Sequence, residues 1–136
     1  MIKTQNVSWS DVESTVKILS NKIMDSSQNF SSITTVSRGG LIPSRLLADA
    51  LDIKQILVDQ KIILYDSLFV DDIFDTGKTF DNVIAKVDEP SKFNFVTLFA
   101  RRGMKFPKQL IYGNETRDDS YLIFPWDKLE YKRSLK

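Results

Sequence analysis

The stretch Leu68-Phe-Val-Asp-Asp-Ile-Phe-Asp-Thr-Gly-Lys-Thr79 changes character twice within twelve residues. The apolar run from Ser67 has the length and composition of a buried strand. Two adjacent carboxylates follow it, and a turn of small polar residues then leads into a segment that reads as a helix through about Val87. Gly77-Lys78-Thr79 invites comparison with a nucleoside-triphosphate loop, but that loop needs a second glycine five positions before Gly77, where this chain has Asp72. Carboxylates would repel a polyphosphate, whereas Asp71 and Asp72 at a strand end can accept hydrogen bonds from a pair of vicinal hydroxyls. The turn Asp75-Thr76-Gly77-Lys78-Thr79 offers backbone amides, two hydroxyls and the positive end of a helix to a single phosphate. Hydroxyls and one phosphate together describe a ribose 5-phosphate. The plain alternative is that Asp71 and Asp72 merely end a strand and that Asp75 or Thr76 merely caps a helix.

Upstream, Ile33-Thr-Thr-Val36 reads as a buried strand, Ser37-Arg38-Gly39-Gly40 as a loop, and Leu41 to Leu51 as a helix with Pro43 in its first turn. Glycines at such a loop let backbone amides approach an anion and Arg38 can neutralise its charge, although a simple strand-to-helix turn with Arg38 in water uses the same residues. Ser10-Asp-Val-Glu13 has capping-box spacing, and Val12, Val16, Leu19 and Ile23 share one helical face, which predicts a first helix over about 11–24. Gln55–Asp59, Lys61–Tyr65, Phe93–Ala100, Leu110–Tyr112 and Tyr121–Phe124 read as further strands, with Arg101–Lys108 a basic loop. Strands alternating with helices predict an α/β fold with a mainly parallel twisted sheet flanked by helices, whose ligands bind at the carboxyl ends of the strands.

Composition narrows the chemistry. At 136 residues the chain can bury roughly 68% of its unfolded surface, enough for one domain over residues 1–136 without metal or disulfide staples. It has no cysteine and no histidine, which leaves acid–base work to carboxylates, lysine, tyrosine or water. Nineteen basic against eighteen acidic residues argue against a surface built to coat nucleic acid. The start lacks the apolar run of a signal peptide and no stretch approaches a membrane span, so a cytoplasmic protein is expected. The basic tail Lys128–Lys136 reads as a solvated end.

The Leu68–Thr79 stretch resembles the phosphoribosyl-pyrophosphate signature of the type I phosphoribosyltransferases, and Val36-Ser37-Arg38-Gly39-Gly40 is similar to that family's pyrophosphate loop. Three more stretches, in the family's order, resemble bacterial xanthine-guanine and related 6-oxopurine enzymes: Val7-Ser-Trp9 before an amphipathic helix, Phe95 to Arg101, and Tyr121 to Asp127 with its Pro-Trp-Asp ending. The resemblance implies a Rossmann-like fold with a hood. It implies transfer of phosphoribosyl from phosphoribosyl pyrophosphate to a purine base, with magnesium as cofactor and a homodimer or homotetramer as the assembly. It places Arg38 and Asp75 in catalysis, and Ser37, Gly39, Gly40, Asp71, Asp72, Thr76, Gly77, Lys78 and Thr79 on the donor. On the base it places Arg101 at the 6-oxo group, Tyr121 stacking on the ring, and the Leu122 carbonyl on the exocyclic side. Asp127, with Asp71 and Asp72, would hold magnesium. Each has a plainer reading: Arg101 with Arg102 as a solvated pair, Tyr121 as a core or interface aromatic, and Asp127 as the cap of a last helix.

Two departures stand out. Relatives carry a lysine where this chain has Arg101, and a planar fork of donors in place of an ammonium can shift base preference. Only residues 54–67 separate Ile53 from the signature strand, which predicts a reduced hood. The short hood leaves three options: a slow or leaky enzyme, an enzyme whose lid comes from elsewhere or from a partner subunit, or a second class of function, a non-catalytic phosphoribosyl pyrophosphate or nucleotide-binding regulator. A transferase for a pyrimidine or another small acceptor is a third reading.

Overall fold

The computed structural model describes residues 2–135. In chain order the elements are β1 (Thr4–Asn6), α1 (Trp9–Asp25), β2 (Ser32–Thr35), α2 (Leu41–Leu51), β3 (Ile56–Val58), β4 (Ser67–Phe74), α3 (Lys78–Ile84), β5 (Phe95–Ala100), β6 (Leu110–Glu115), β7 (Tyr121–Ile123) and α4 (Lys128–Ser134). Short 3-10 turns at Pro90–Lys92 and Pro125–Asp127 precede β5 and α4. A parallel five-stranded sheet has the order β3-β2-β4-β5-β6, and β1 pairs with β7 in a separate parallel ribbon.

Alternation along the central strands divides the interior in two. Leu68, Val70, Val96 and Leu98 point to the face covered by Val12, Leu19 and Ile23 of α1 and Leu47 of α2. Phe69 and Phe95 point to the other face and pack with Phe80 and Val83 of α3. Phe69 and Phe95 lie stacked at 4.9 Å between centroids, with Phe80 edge-on to Phe95 at 5.2 Å. β2 is buried on both faces although three of its four residues carry hydroxyls. The Ser67 hydroxyl bonds those of Ser32 and Thr34 at 2.7 and 2.6 Å, and Thr35 donates to the Val70 carbonyl at 2.6 Å, so the hydroxyls are satisfied within the sheet.

Strand order fixes where a ligand can sit. From β2 the chain moves outward to β3, then returns across β2 to β4 and continues the opposite way to β5 and β6. The order therefore reverses between β2 and β4. Loops leaving neighbouring strands in opposite senses open a crevice at their carboxyl ends. The two loops there are Val36–Gly40 and Asp75–Gly77.

Several boundaries differ from the sequence expectations. Helix α1 starts two residues early because Ser8, not Ser10, is its cap: Ser8 Oγ accepts from the Asp11 amide and Asp11 accepts from the Ser8 amide, both at 3.0 Å. Ser10 and Glu13 fit the same box, but only the Ser8 register places buried Val7 against buried Val12 as a hydrophobic staple. The expected strand Lys61–Tyr65 does not form. Ile63 alone turns inward to bridge Val87, while Ile62 and Leu64 are exposed. Eight residues separate β3 from β4, so the hood is reduced to a turn. α3 stops at Ile84, three residues short of the expected Val87. β1 was not anticipated. Finally, the tail is not a free solvated end: Lys128–Ser134 form α4, folded back over the crevice, while Lys136 lies outside the described residues.

Candidate active site

The acidic pair occupies the last turns of β4. Asp71 is buried and Asp72 half-buried, and the burial of each carboxylate beside the other favours the protonated form. Desolvation, together with the charge and hydrogen bond of Asp71, pushes Asp72 up to about 7, and desolvation also raises Asp71. Local amides hold both side chains: Asp71 Oδ1 accepts from the Asp72 amide at 2.9 Å and Asp72 Oδ1 from the Ile73 amide at 2.7 Å. Among the described residues neither pairs with a cationic side chain.

The glycine loop packs against this pair. A Cβ on Gly39 would lie 2.9 Å from Asp72 Oδ2, and one on Gly40 would collide with Thr35 Oγ1 and come within 2.6 Å of the Val70 carbonyl. Gly40 is therefore required by close approach to Thr35 and the Val70 backbone, whereas a methyl group on Gly39 would meet only the end of the Asp72 side chain. The Ser37–Arg38 peptide is cis. Asp59, in the shortened hood, anchors this loop by accepting from the Ser37 amide at 2.9 Å and the Ser37 hydroxyl at 2.7 Å, and these bonds lower its pKa. Asp59 escaped notice in the sequence because nothing local marks it. Its positive φ of 53° is the one trace of a special turn, and sequence alone does not display it.

The turn after β4 is open for an anion. Gly77 has φ +89°, and the first intrahelical bond of α3 is Asp81 amide to Gly77 carbonyl, so the amides of the first turn precede the ladder. Asp75, Thr76, Lys78 and Thr79 are exposed around a cavity of about 160 Å³ that Asp71 and Asp72 also line.

Arg101 is not the solvated residue its position beside Arg102 allowed. Its side chain is only 14% exposed. Nε donates to Asp75 Oδ1 at 3.1 Å, and Nη1 donates to the carbonyls of Asp118 and Ser120 at 3.1 and 2.9 Å. Arg101 thus ties the turn after β4 to the loop before β7, and among the described residues Nη2 has no hydrogen-bond partner. That loop is held by Asp118, whose carboxylate accepts from the Ser120 amide at 2.9 Å and is brought down to about 2 by its Ser120 bonds.

On β7, Tyr121 is half-exposed at 49%. β1 takes up the backbone of Tyr121 and Ile123, through Tyr121 amide to Lys3 carbonyl at 2.8 Å and Val7 amide to Ile123 carbonyl at 2.9 Å. In a parallel pair the alternate residue then turns its amide and carbonyl to the opposite edge, so those of Leu122 face away from β1 while its side chain is buried. Trp126 stacks on Phe124 at 5.0 Å and meets Trp9 at 5.8 Å, a packing role. Asp127 stands at the N-cap of α4 but makes no capping bond. Desolvation, with Asp72 and Glu130 nearby, pushes it up to about 6 against the opposing pull of Arg38.

A second cavity, of about 300 Å³, is lined by Arg38, Gly39, Asp72, Tyr121, Asp127 and residues of α4. Asp72 lines both cavities, so the turn after β4 and the Tyr121 shelf adjoin at this residue.

No protein-family model matches the chain. It is 32% identical over 142 aligned positions, covering 89% of this chain and 82% of the relative, to the xanthine-guanine phosphoribosyltransferase of Chromohalobacter salexigens. The chain belongs to the xanthine-guanine phosphoribosyltransferase family. A second phosphoribosyltransferase of that name, from Desulfotalea psychrophila, is 27% identical over 92% of this chain and 87% of its own length. Among solved structures, the purine phosphoribosyltransferase of Pyrococcus horikoshii superposes with a TM-score of 0.70 at 26% identity, covering 93% of this chain and 94% of that one. As a phosphoribosyltransferase the chain has only eight residues between β3 and β4, a hood cut to a turn.

Proposed function

We propose that the chain is a purine phosphoribosyltransferase of purine salvage, which moves the 5-phosphoribosyl group from phosphoribosyl pyrophosphate to guanine, xanthine or hypoxanthine and yields a nucleoside monophosphate and pyrophosphate. The observation that carries this reading is the place of Asp72, shared by a phosphate-sized hollow on one side and an aromatic shelf on the other. A ribose held there presents its 5-phosphate to one and its anomeric carbon to the other.

In this reading Asp71 and Asp72 accept the ribose hydroxyls, and Thr76, Gly77, Lys78 and Thr79 take the 5-phosphate. Ser37, Arg38, Gly39 and Gly40 take the pyrophosphate. The base lies against Tyr121, gives its exocyclic donor to the Leu122 carbonyl and receives Nη2 of Arg101 at its 6-oxo group. A ring nitrogen attacks the anomeric carbon as the bond to pyrophosphate breaks. Arg38 and the loop amides stabilise the charge that gathers on the leaving oxygen. Asp75 accepts the ring proton at Oδ2 while Oδ1 stays bonded to Arg101.

The donor set suits magnesium: Asp71 and Asp72 each use Oδ1 for one backbone amide and, among the described residues, pair with no cationic side chain, and Asp127 lies across the cavity. Among the described residues no three such groups are gathered closely enough to hold an ion alone, so substrate oxygens and water would complete its shell. Bound there, magnesium would neutralise pyrophosphate charge.

We place this single-domain enzyme in the cytoplasm as a homodimer or homotetramer, acting on small molecules and not on nucleic acid or membrane. Among the described residues no helix is long and apolar enough to cross a membrane. Exposed Trp9, Ile62 and Leu64 are surfaces an interface could use.

The test is pyrophosphate release from phosphoribosyl pyrophosphate and magnesium with guanine, xanthine, hypoxanthine, adenine or uracil, beside a base-free control. Release with a 6-oxopurine is expected. Donor binding without release would favour the regulator, the reading that the eight-residue hood supports.

A further inference from the structure

Residues of α4 occupy key side chains of both halves of the cavity. Glu130 Oε2 accepts from Arg38 Nη2 at 3.1 Å, so the guanidinium assigned to pyrophosphate already holds a carboxylate. One residue on, the Tyr131 ring lies against Tyr121 with centroids 5.9 Å apart and planes 25° from parallel. A purine sandwiched between two rings needs roughly 7 Å between them, twice the van der Waals thickness of an aromatic ring, so nothing enters that gap without moving Tyr131. No residue of α4 is buried. The helix continues from the Pro125–Asp127 turn, and none of its residues belongs to the hydrophobic core.

We propose that α4 is a displaceable plug that mimics both substrates, Glu130 standing where pyrophosphate charge goes and Tyr131 where the purine stacks. This rests on the donor and base assignments above. Pyrophosphate carries more charge than one carboxylate and takes Arg38 from Glu130, and the base takes the Tyr121 face from Tyr131. Because the anchors are adjacent on one helix, releasing either loosens the other. Binding of one substrate therefore eases entry of the second, a coupling through the helix in place of the missing hood.

The experiment is calorimetric titration of the full chain with phosphoribosyl pyrophosphate and magnesium, and KM determination for donor and base, in wild type, Glu130→Gln, Glu130→Asp and Tyr131→Ala. Removing an exposed ion pair should tighten donor binding about twofold to fivefold in Glu130→Gln. Loss of the ring stack should lower the base KM in Tyr131→Ala by about twofold to tenfold. Glu130→Asp keeps the charge but is one methylene too short for Arg38, and should behave like Glu130→Gln. In about 0.5 M salt the Glu130 effect should shrink while the Tyr131 effect persists. Unchanged or weaker binding in the Gln and Ala variants overturns the plug and leaves the transferase standing. A Glu130→Asp variant indistinguishable from wild type makes Glu130 a through-space repulsion and also overturns it. An intact chain that neither binds donor nor releases pyrophosphate removes the transferase reading, and the plug with it.

Discussion

The half of this site proposed to take the donor and the half proposed to take the base, the donor half and the base half below, are built in opposite ways. Asp71 to Thr79 come from one continuous strand and turn, and the glycine loop is packed against that strand with no room for a methyl group on Gly40 beside Thr35 and the Val70 carbonyl. The base half gathers Arg101, the 118–120 carbonyls and Tyr121 from separate segments, with Arg101 bonded to the Asp118 and Ser120 carbonyls across 17 and 19 positions. Polar bonds tie it to the donor half, Arg101 to Asp75 across 26 positions and Arg38 to Glu130 of α4 across 92. A half made by steric fit should fail when volume is added, and a half made by hydrogen bonds should fail when donors are removed.

The largest expected effect is Gly40→Ala. Its methyl group meets Thr35 Oγ1 and the Val70 carbonyl, buried backbone and side chain that cannot yield cheaply. A loss of about 3 kcal/mol or more is expected, seen as a lower denaturant midpoint. An unaffected midpoint would mean that the donor half is as pliable as the base half. Next, Arg38→Ala should cut turnover by about a hundredfold or more, since a preorganised donor to a developing anion is worth about 2.7–4 kcal/mol. Arg101→Lys should follow: lysine keeps the charge but cannot reach Asp75 and two carbonyls together. A base KM raised about tenfold is expected, with donor KM changed far less. Equal effects on both KM values would show that the halves are not separable. Asp75→Asn preserves the acceptor for Arg101 and removes the carboxylate, so it should lower kcat more than donor affinity.

The last expectation concerns stability and pH. Asp72 sits at about 7 in the fold against its ordinary 3.8, so between these values the folded chain holds a proton that the unfolded chain releases. Its contribution is fully present below about pH 4 and is lost as pH rises through 7. Asp127, at about 6, acts in the same sense. Without magnesium, melting temperature should rise from pH 8 to pH 5 by an amount on the order of 2 kcal/mol in stability. Asp72→Asn should raise stability at pH 8 and flatten the profile. A wild-type profile falling toward pH 5 would remove the acidic pair as its main cause. Asp118, at about 2, acts only in more acid solution.

The same contrast explains what the sequence disclosed. Contiguity made the donor half legible, because strand, carboxylates and turn are neighbours in the chain and their chemistry can be read from spacing alone. The alternation of strands and helices likewise gave the parallel sheet and the place of its crevice. Pairings between distant segments left no periodic trace. The carbonyls that hold Arg101 are backbone groups any residue supplies, and Asp59 reaches Ser37 across 22 positions. Lys128–Lys136 looked like a solvated end because its basic charge masks Glu130 and Tyr131, and its path is set by the Pro125–Asp127 turn. The error over Lys61–Tyr65 has a similar root: an apolar run suggested a strand, yet Ile62 and Leu64 face outward with only Ile63 anchored.

The chain has two tryptophans, and both belong to one aromatic cluster, Trp126 stacked on Phe124 and tilted against Trp9. Trp126 lies in the turn from which α4 departs. The whole of the intrinsic indole emission therefore originates beside the start of that helix, so the displacement of α4 proposed above would change its wavelength or intensity as each substrate is added, with no dye attached.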